Sequence, residues 1–432
     1  MKYLIVFLTL LISSILQSKE RTANIPHYDL NLNYDPISRK INVSGVLTLP
    51  ANYAIDNQLD IISLYFYKQL VIDSLVINGL FVDDYDTYSG DKYHMPHSSK
   101  FEIPISKEIS SKIIRIEFSL SGAMGNLPPK SANVVSENWS ELGLYYPWFP
   151  VNTEVIKHFT FSLNVAKVLG YEIFGLGTIK QLRDRIQISS STPANDIIVC
   201  YSKKISHFMQ KSNSTMLDIY YLTLNETIVE KIAGDILNID KEYKRWFKIS
   251  DKTKLTLLES LRQDGGGYGR LTGIVLSNLS GDDYQKFNNS YIKYFAHELA
   301  HIYWYKADSN SWEDWLNESL AEYCALMFIR EFFGENVFSQ IIQKKQVKSN
   351  NSPAIWNFDR ANSNPEIIEI VLYNKGPLIL MELESYIGHS NFKNFLEIVH
   401  SNNIKTTRDF IDELKKMFGE ECAFWFIHNL NK

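Results

Sequence analysis

His297-Glu298-Leu299-Ala300-His301 is followed, after sixteen intervening residues, by Glu318 in Trp315-Leu316-Asn317-Glu318-Ser319-Leu320-Ala321-Glu322-Tyr323. Two histidines four apart project from one face of a helix and can grip a single divalent ion, with each nitrogen at about 2.0–2.1 Å if the ion is zinc. Glu298 points about 100° further round the axis. It is too far round to be a ligand, but it can reach a water on the open side of the ion, which is where a general base belongs. Asn288-Asn289-Ser290 supplies N-cap candidates, and Tyr291, Phe295, Leu299 and Ile302 form an apolar stripe at helical spacing. The pattern predicts a helix from Tyr291 to Tyr305 with the two histidines at its middle.

A hydrolytic zinc site takes three protein ligands and keeps one position open. The segment from Trp312 to Tyr323 reads as a second helix, with Leu316, Leu320, Tyr323 and Met327 on one face. Lys306 to Ser311 is polar and fits the turn between the two helices. Glu318 is the candidate third ligand for one Zn2+. Glu322, one turn further on, is its rival, either as a ligand or as the partner of a ligand.

These residues resemble the zinc site of the aminopeptidase N and leukotriene hydrolase family of gluzincin metallopeptidases. That family carries His-Glu-x-x-His, then eighteen residues, then Glu within Trp-Leu-Asn-Glu-Gly-Phe-Ala-x-Tyr. The spacing in this sequence is two residues shorter, which reads as a trimmed loop between matching helices. The resemblance implies a tyrosine in a Tyr-x-Lys-Gly pattern at the start of a later helix, donating to the oxyanion of the tetrahedral intermediate. Tyr373-Asn374-Lys375-Gly376 stands there, with Pro377 as a first helical residue and Gly388 as a stop. It further implies an α+β protein, with an N-terminal β-sheet saddle before a thermolysin-like, mostly α-helical catalytic domain.

One family feature is missing. The Gly-x-Met-Glu-Asn segment, whose glutamate binds a substrate's free amino terminus, is replaced by Asp264-Gly265-Gly266-Gly267-Tyr268-Gly269-Arg270. By-eye alignment puts Arg270 at the glutamate position. A glycine-rich edge still lets a peptide backbone approach and pair, so Gly266, Gly267, Tyr268 and Arg270 are candidate substrate-binding residues. Arg262 or Arg270 could meet a carboxylate or a carbonyl.

The rest of the sequence sets bounds. The 432 residues carry a net charge of −5 and no basic run, which argues against nucleic acid as a partner. Lys2 and the apolar run Tyr3 to Leu16 read as a signal peptide over residues 1–18, too short for a full membrane span. This predicts a secreted or periplasmic protein, with a membrane tether as the alternative if the segment is uncleaved. Three distant cysteines, Cys200, Cys324 and Cys422, predict neither a disulfide framework nor a cysteine metal site. His94-Met95-Pro96-His97 reads as a loop rather than a metal clip, because of its proline.

Alternating stretches at His27 to Tyr34, Lys40 to Leu49 and Ile114 to Leu120 predict strands. Ser- and Lys-rich Ser202 to Thr215 predicts a boundary, giving a β domain over 19–210 and a catalytic domain over 211–432. Helices are expected over Thr227 to Trp246, Asn391 to Val399 and Thr407 to Phe418. Longer family members continue into a further domain and a helical bowl. The sequence given ends at Lys432, before such parts, which predicts a more open cleft. The functional expectation is a zinc metallopeptidase acting on peptides or proteins, aminopeptidase-like but with altered recognition of the amino terminus. Two alternatives stand beside it: an endopeptidase or carboxylate-selecting peptidase on the same site, and a non-catalytic surface binding protein on a peptidase scaffold.

Overall fold

The computed structural model describes residues 25–432 except 84, 92–94, 96, 126, 128–132, 263–265, 278 and 361. The expected signal peptide, and His94, Pro96, Asp264 and Gly265, lie outside the described residues. The chain divides into two compact units. The first holds residues up to His207 together with Tyr220–Leu222 and Lys254–Asn278; the second holds Phe208–Ile219, Thr223–Thr253 and Leu279–Lys432. The glycine-rich segment thus groups with the N-terminal part, not with the sequence that follows it.

The first unit is built on an eight-stranded sheet. Its strand order is Thr178–Gln181, Arg185–Ala194, Phe159–Ala166, His27–Tyr34, Lys40–Leu49, Ile114–Ala123, Leu70–Ile77 and Leu80–Phe81. Alternation in sequence becomes alternation in burial: Tyr28, Leu30, Leu32 and Tyr34 point inward and their neighbours outward. The first strand pairs antiparallel with the second, Leu32 opposite Val43, and parallel with Phe159–Ala166, Leu30 opposite Leu163. Asn78 and Gly79 both take positive φ, the turn a two-residue hairpin needs. Two three-stranded sheets complete the layers, and Tyr28, Trp148, Phe149 and Phe161 are fully buried between them. Within the same unit, Gly266–Arg270 pairs antiparallel with Gly273–Ser277, which pairs in parallel with the strand ending at Ser260.

The second unit is mostly helical. Helix α1 (Glu226–Trp246) starts where the Asn225 side chain accepts from the Ile228 N–H. It is followed by α2 (Asn288–Ala300), α3 (Trp315–Ser349), α4 (Gly376–Ile387), α5 (His389–Ser401) and α6 (Thr407–Leu430). The first half of α3 is buried on nearly every side from Trp315 to Ile329, as expected of a helix through the middle of a domain. Gly334, at φ 79, breaks its helical path. No helix among the described residues is long and apolar enough to cross a membrane.

The Ser202 to Thr215 stretch, expected as a boundary, contains the strand Ser206–Lys211. One expectation needs correction. The zinc-motif helix does not run to Tyr305. It ends at Ala300 with His301 as its C-cap, so the motif occupies the last turn. The chain turns there because Tyr303 and Trp304 both return their N–H groups to the Ala300 carbonyl. Their rings then pack on Phe247, and this burial outweighs the helical pattern.

Candidate metal centre

Helix α2 is set in place from behind. The buried Tyr243 hydroxyl of α1 donates to the Ala296 carbonyl at 2.8 Å, and Phe295, Ala296 and Ala300 are fully buried. This leaves His297 and His301 directed at α3, where Glu318 meets them. The two imidazole Nε2 atoms are 3.2 Å apart, and Glu318 Oε2 lies 3.3 Å from His297 Nε2 and 3.4 Å from His301 Nε2. Among the described residues this is the group of three ligand-bearing side chains able to hold a metal ion.

The trio has the dimensions of a zinc site. Three atoms at about 2.0–2.1 Å from one ion at tetrahedral angles stand about 3.3–3.4 Å from one another. The hydrogen bonding points the same way. His301 Nδ1 lies 3.0 Å from the Trp304 carbonyl, which can only accept, so Nδ1 carries the hydrogen. His297 Nδ1 lies 3.0 Å from Glu322 Oε2 and donates likewise. In the neutral imidazoles both Nε2 atoms are then lone pairs aimed at one point, and Glu318 Oε2 has no hydrogen-bond partner among the described residues. Three electron pairs converge where a positive charge, a metal ion or protons on the imidazoles, reconciles them. The same field acts on protons. Burial works against a charged imidazole, yet the Glu318 carboxylate outweighs it and holds His301 up to about 10. Burial likewise opposes charge on Glu318, but His301 and His297 keep it well below the usual carboxylate range.

The structure separates the two candidate third ligands. Glu318 joins the trio. Glu322 stands behind it, bonded to His297 Nδ1 and flanked by Lys293 at 2.7 Å and Lys345 at 2.5 Å. A carboxylate on the far nitrogen fixes the tautomer and ring direction of a metal-binding histidine. The shortened connection is closed by Asn317, whose side chain accepts from the Ala307 N–H at 3.1 Å and donates to the Ala307 carbonyl at 3.2 Å.

Tyr373 is brought to the same place. Its ring lies 5.4 Å from that of His297. Burial first, and then the charge of Glu318, hold its hydroxyl protonated well above the ordinary tyrosine range. It belongs to a π-helical turn, Glu369–Lys375, that leads into α4. Ser319, next to Glu318, donates to the Leu372 carbonyl at 2.6 Å. Gly376 is required by the same approach, since a Cβ there would stand 1.9 Å from Ser319 Oγ. Glu298 is half-buried, and its charge acts on both His301 and Tyr373.

Gly266, Gly267, Tyr268 and Arg270 lie in the first unit and are engaged there. Tyr268 donates to Glu141 Oε1 at 2.7 Å. Arg270 Nε donates to Asp196 Oδ2 at 2.9 Å, and its guanidinium sits 4.3 Å over the Tyr268 ring. Sequence reading did not single out Glu141. It is fully buried, and its acceptors are filled by Tyr268, Ser260 and Asn133. A polar residue inside the apolar run Leu142 to Pro150 would have drawn notice, but Glu141 stands just before it.

Comparison with known proteins agrees with this geometry. Residues 275–428 match the Peptidase family M1 domain. A leucyl aminopeptidase of Saccharolobus solfataricus is 27% identical over 164 residues, covering 34% of this chain. Aminopeptidase M1-A of Oryza sativa subsp. japonica is 27% identical over 124 residues, covering 26%. The matched stretches span only 20% and 14% of those two proteins. In fold, the chain is similar to the M1 zinc metallopeptidase of Deinococcus radiodurans, with a TM-score of 0.69 at 14% identity over 94% of both chains. It is also similar to native yeast LTA4 hydrolase, with a TM-score of 0.66 at 16% identity over 92% of this chain and 66% of that one. The β-sheet unit and the helical unit thus share the α+β fold of those two structures, and residues 275–428, which carry the candidate metal centre, are similar to the Peptidase family M1 domain.

Proposed function

We propose that this protein is a zinc-dependent metallopeptidase that hydrolyses peptide bonds, aminopeptidase-like in its chemistry and altered in how it meets the substrate's amino terminus. The observation that carries this reading is the convergence of two bare imidazole nitrogens and an unpartnered carboxylate oxygen on one point, with Glu298 and Tyr373 beside it. His297, His301 and Glu318 are the residues that would hold one zinc ion. When bound, zinc supplies Lewis acidity, polarising the scissile carbonyl and lowering the pKa of a water to about 7. Glu298 takes the proton of the attacking water and returns it to the leaving amine. Tyr373, protonated because it is buried, donates to the oxygen on which negative charge develops. A variant of the Deinococcus radiodurans enzyme is bound to a Tyr-Ser-Ala substrate, which supports a peptide as the substrate class here.

The altered recognition rests on sequence and on the state of Arg270. The family's amine-binding glutamate has no counterpart at that place, and the arginine found there is neutralised by Asp196. We place the protein outside the cytoplasm on the strength of the N-terminal targeting pattern, with a membrane tether as the alternative. Digestion of a mixed pool of free and N-acetylated peptides tests the function. Zinc-restored, chelator-sensitive cleavage is expected. Acetyl blocking that abolishes it marks an aminopeptidase, and cleavage of blocked peptides marks an endopeptidase. No cleavage at any zinc loading would leave a binding protein on a peptidase scaffold.

A further inference from the structure

Lys345 is a buried cation with no part in the chemistry above. Its side chain is 8% exposed and lies on α3 beyond the break at Gly334. The ammonium stands 2.5 Å from Glu322 Oε1 and donates to the Tyr373 carbonyl at 2.6 Å. Glu322 is already served by Lys293 and by His297. Burying a second ammonium beside one carboxylate carries a desolvation cost that a further ion pair alone offsets poorly.

The second contact gives the reason. Tyr373 sits in a π-helical turn, and such widened turns take carbonyls out of the ordinary i+4 ladder. Buried carbonyls need donors. Ser319 supplies one to Leu372, and Lys345 supplies one to Tyr373. Tyr373 is therefore tied to the metal ligands twice: through Ser319 to its neighbour Glu318, and through Lys345 and Glu322 to His297.

We propose that Lys345 is a positioning residue: one ammonium joins the carboxylate that orients His297 to the backbone of Tyr373. It thereby sets the spacing between the metal and the hydroxyl that meets the oxyanion. The Tyr373 half rests on the peptidase reading; the His297 half does not.

The test is a double-mutant cycle of Lys345→Met and Tyr373→Phe. Its readouts are zinc affinity by chelator competition, the absorption spectrum of the cobalt-substituted protein, kcat and KM on a cleaved peptide, and the melting temperature of the metal-free protein. Lys345→Met is expected to weaken zinc binding about 10-fold or more and to shift the cobalt spectrum. It should lower kcat about 100-fold, the loss of one well-placed donor, while KM stays nearly constant. In the Tyr373→Phe background its effect on kcat should shrink to within about threefold, because the two residues act through one hydroxyl. An equal loss of kcat in both backgrounds, or wild-type kcat and zinc affinity in a folded Lys345→Met, overturns the proposal. Should Lys345→Met fail to fold, Lys345→Arg takes its place. Arginine keeps the charge on Glu322 but does not repeat the single donor to Tyr373, so zinc affinity should hold while kcat falls, and an unchanged kcat counts against the proposal. If the zinc-loaded wild type cleaves nothing, the peptidase reading fails. The zinc affinity and cobalt spectrum still decide the Lys345 link to His297: unchanged values refute it.

Discussion

Glu141 is a fully buried carboxylate in the first unit and Glu318 a largely buried one in the second, and their surroundings push them in opposite directions. Glu141 accepts from the Tyr268 and Ser260 hydroxyls and the Asn133 amide, all of them neutral donors. Burial therefore dominates and raises its pKa. Glu318 faces two imidazoles, and one of its oxygens accepts no hydrogen bond from the described residues; its pKa is held well below the ordinary value although burial opposes its charge. The lesson is that burial alone does not mark a functional acid. A cluster whose acceptors are filled by its own donors is finished as it stands, as is the neighbouring Arg270–Asp196 pair. A cluster with lone pairs converging on one point is built around a further positive charge.

This contrast can be broken by experiment. Glu298→Gln should leave zinc content intact and lower turnover by about 10³-fold or more, within or beyond the usual range for a general base; metal analysis beside a peptide assay checks it, and retained turnover removes Glu298 from its role. Tyr373→Phe should lower kcat about 10²–10³-fold with KM little changed, and a loss confined to KM would make Tyr373 a binding residue only. Arg270→Met leaves Asp196 as an unpaired buried charge, so it should destabilise the protein by about 3–5 kcal/mol in a denaturant titration. The same variant should bind zinc normally where folded. If it is stable and instead changes preference for carboxylate-bearing peptides, Arg270 belongs to a substrate site and the contrast is wrong.

The smallest effect concerns pH. Glu141 has its folded pKa raised by burial, so its neutral form is the one favoured by folding. Its contribution to stability is full below the unfolded value of about 4.3 and is lost as pH rises through the folded value. Glu141→Gln removes that titration, and the melting temperature of the variant should change less steeply than the wild type's from about pH 4 upward. A parallel pair of curves would mean that Glu141 is charged in the folded protein throughout.

Much of the candidate metal centre was legible in the sequence because its parts are local. The spacing of His297 and His301 puts both rings on one side of a single turn, and the Trp315 to Tyr323 segment carries both acids to be weighed. Helical spacing alone left Glu322 as a rival to the expected ligand Glu318, because both lie near the same face; the packing of α3 on α2 puts Glu318 at the Nε2 atoms and Glu322 at Nδ1. The helix was expected to continue through Tyr303 and Trp304, whose spacing is helical but whose burial against Phe247 is a tertiary matter. The strands of the first unit followed from alternation. The partners of Tyr268 and Arg270 did not, since Glu141 and Asp196 are 127 and 74 residues away in the chain. Lys345 had no local signal at all, because a lysine on a long helix reads as solvated until its surroundings are known.

The Asn317 clamp on Ala307 has a practical consequence. It ties Asn317 to Ala307 across the short connection, so residues 308–311 form a turn outside the clamp, between the candidate ligands His301 and Glu318. Epitope tags or extra residues inserted there should be tolerated without loss of ion binding. Natural gain or loss of a few codons at this point should leave the spacing of the candidate ligands in three dimensions unchanged, even where it differs in one.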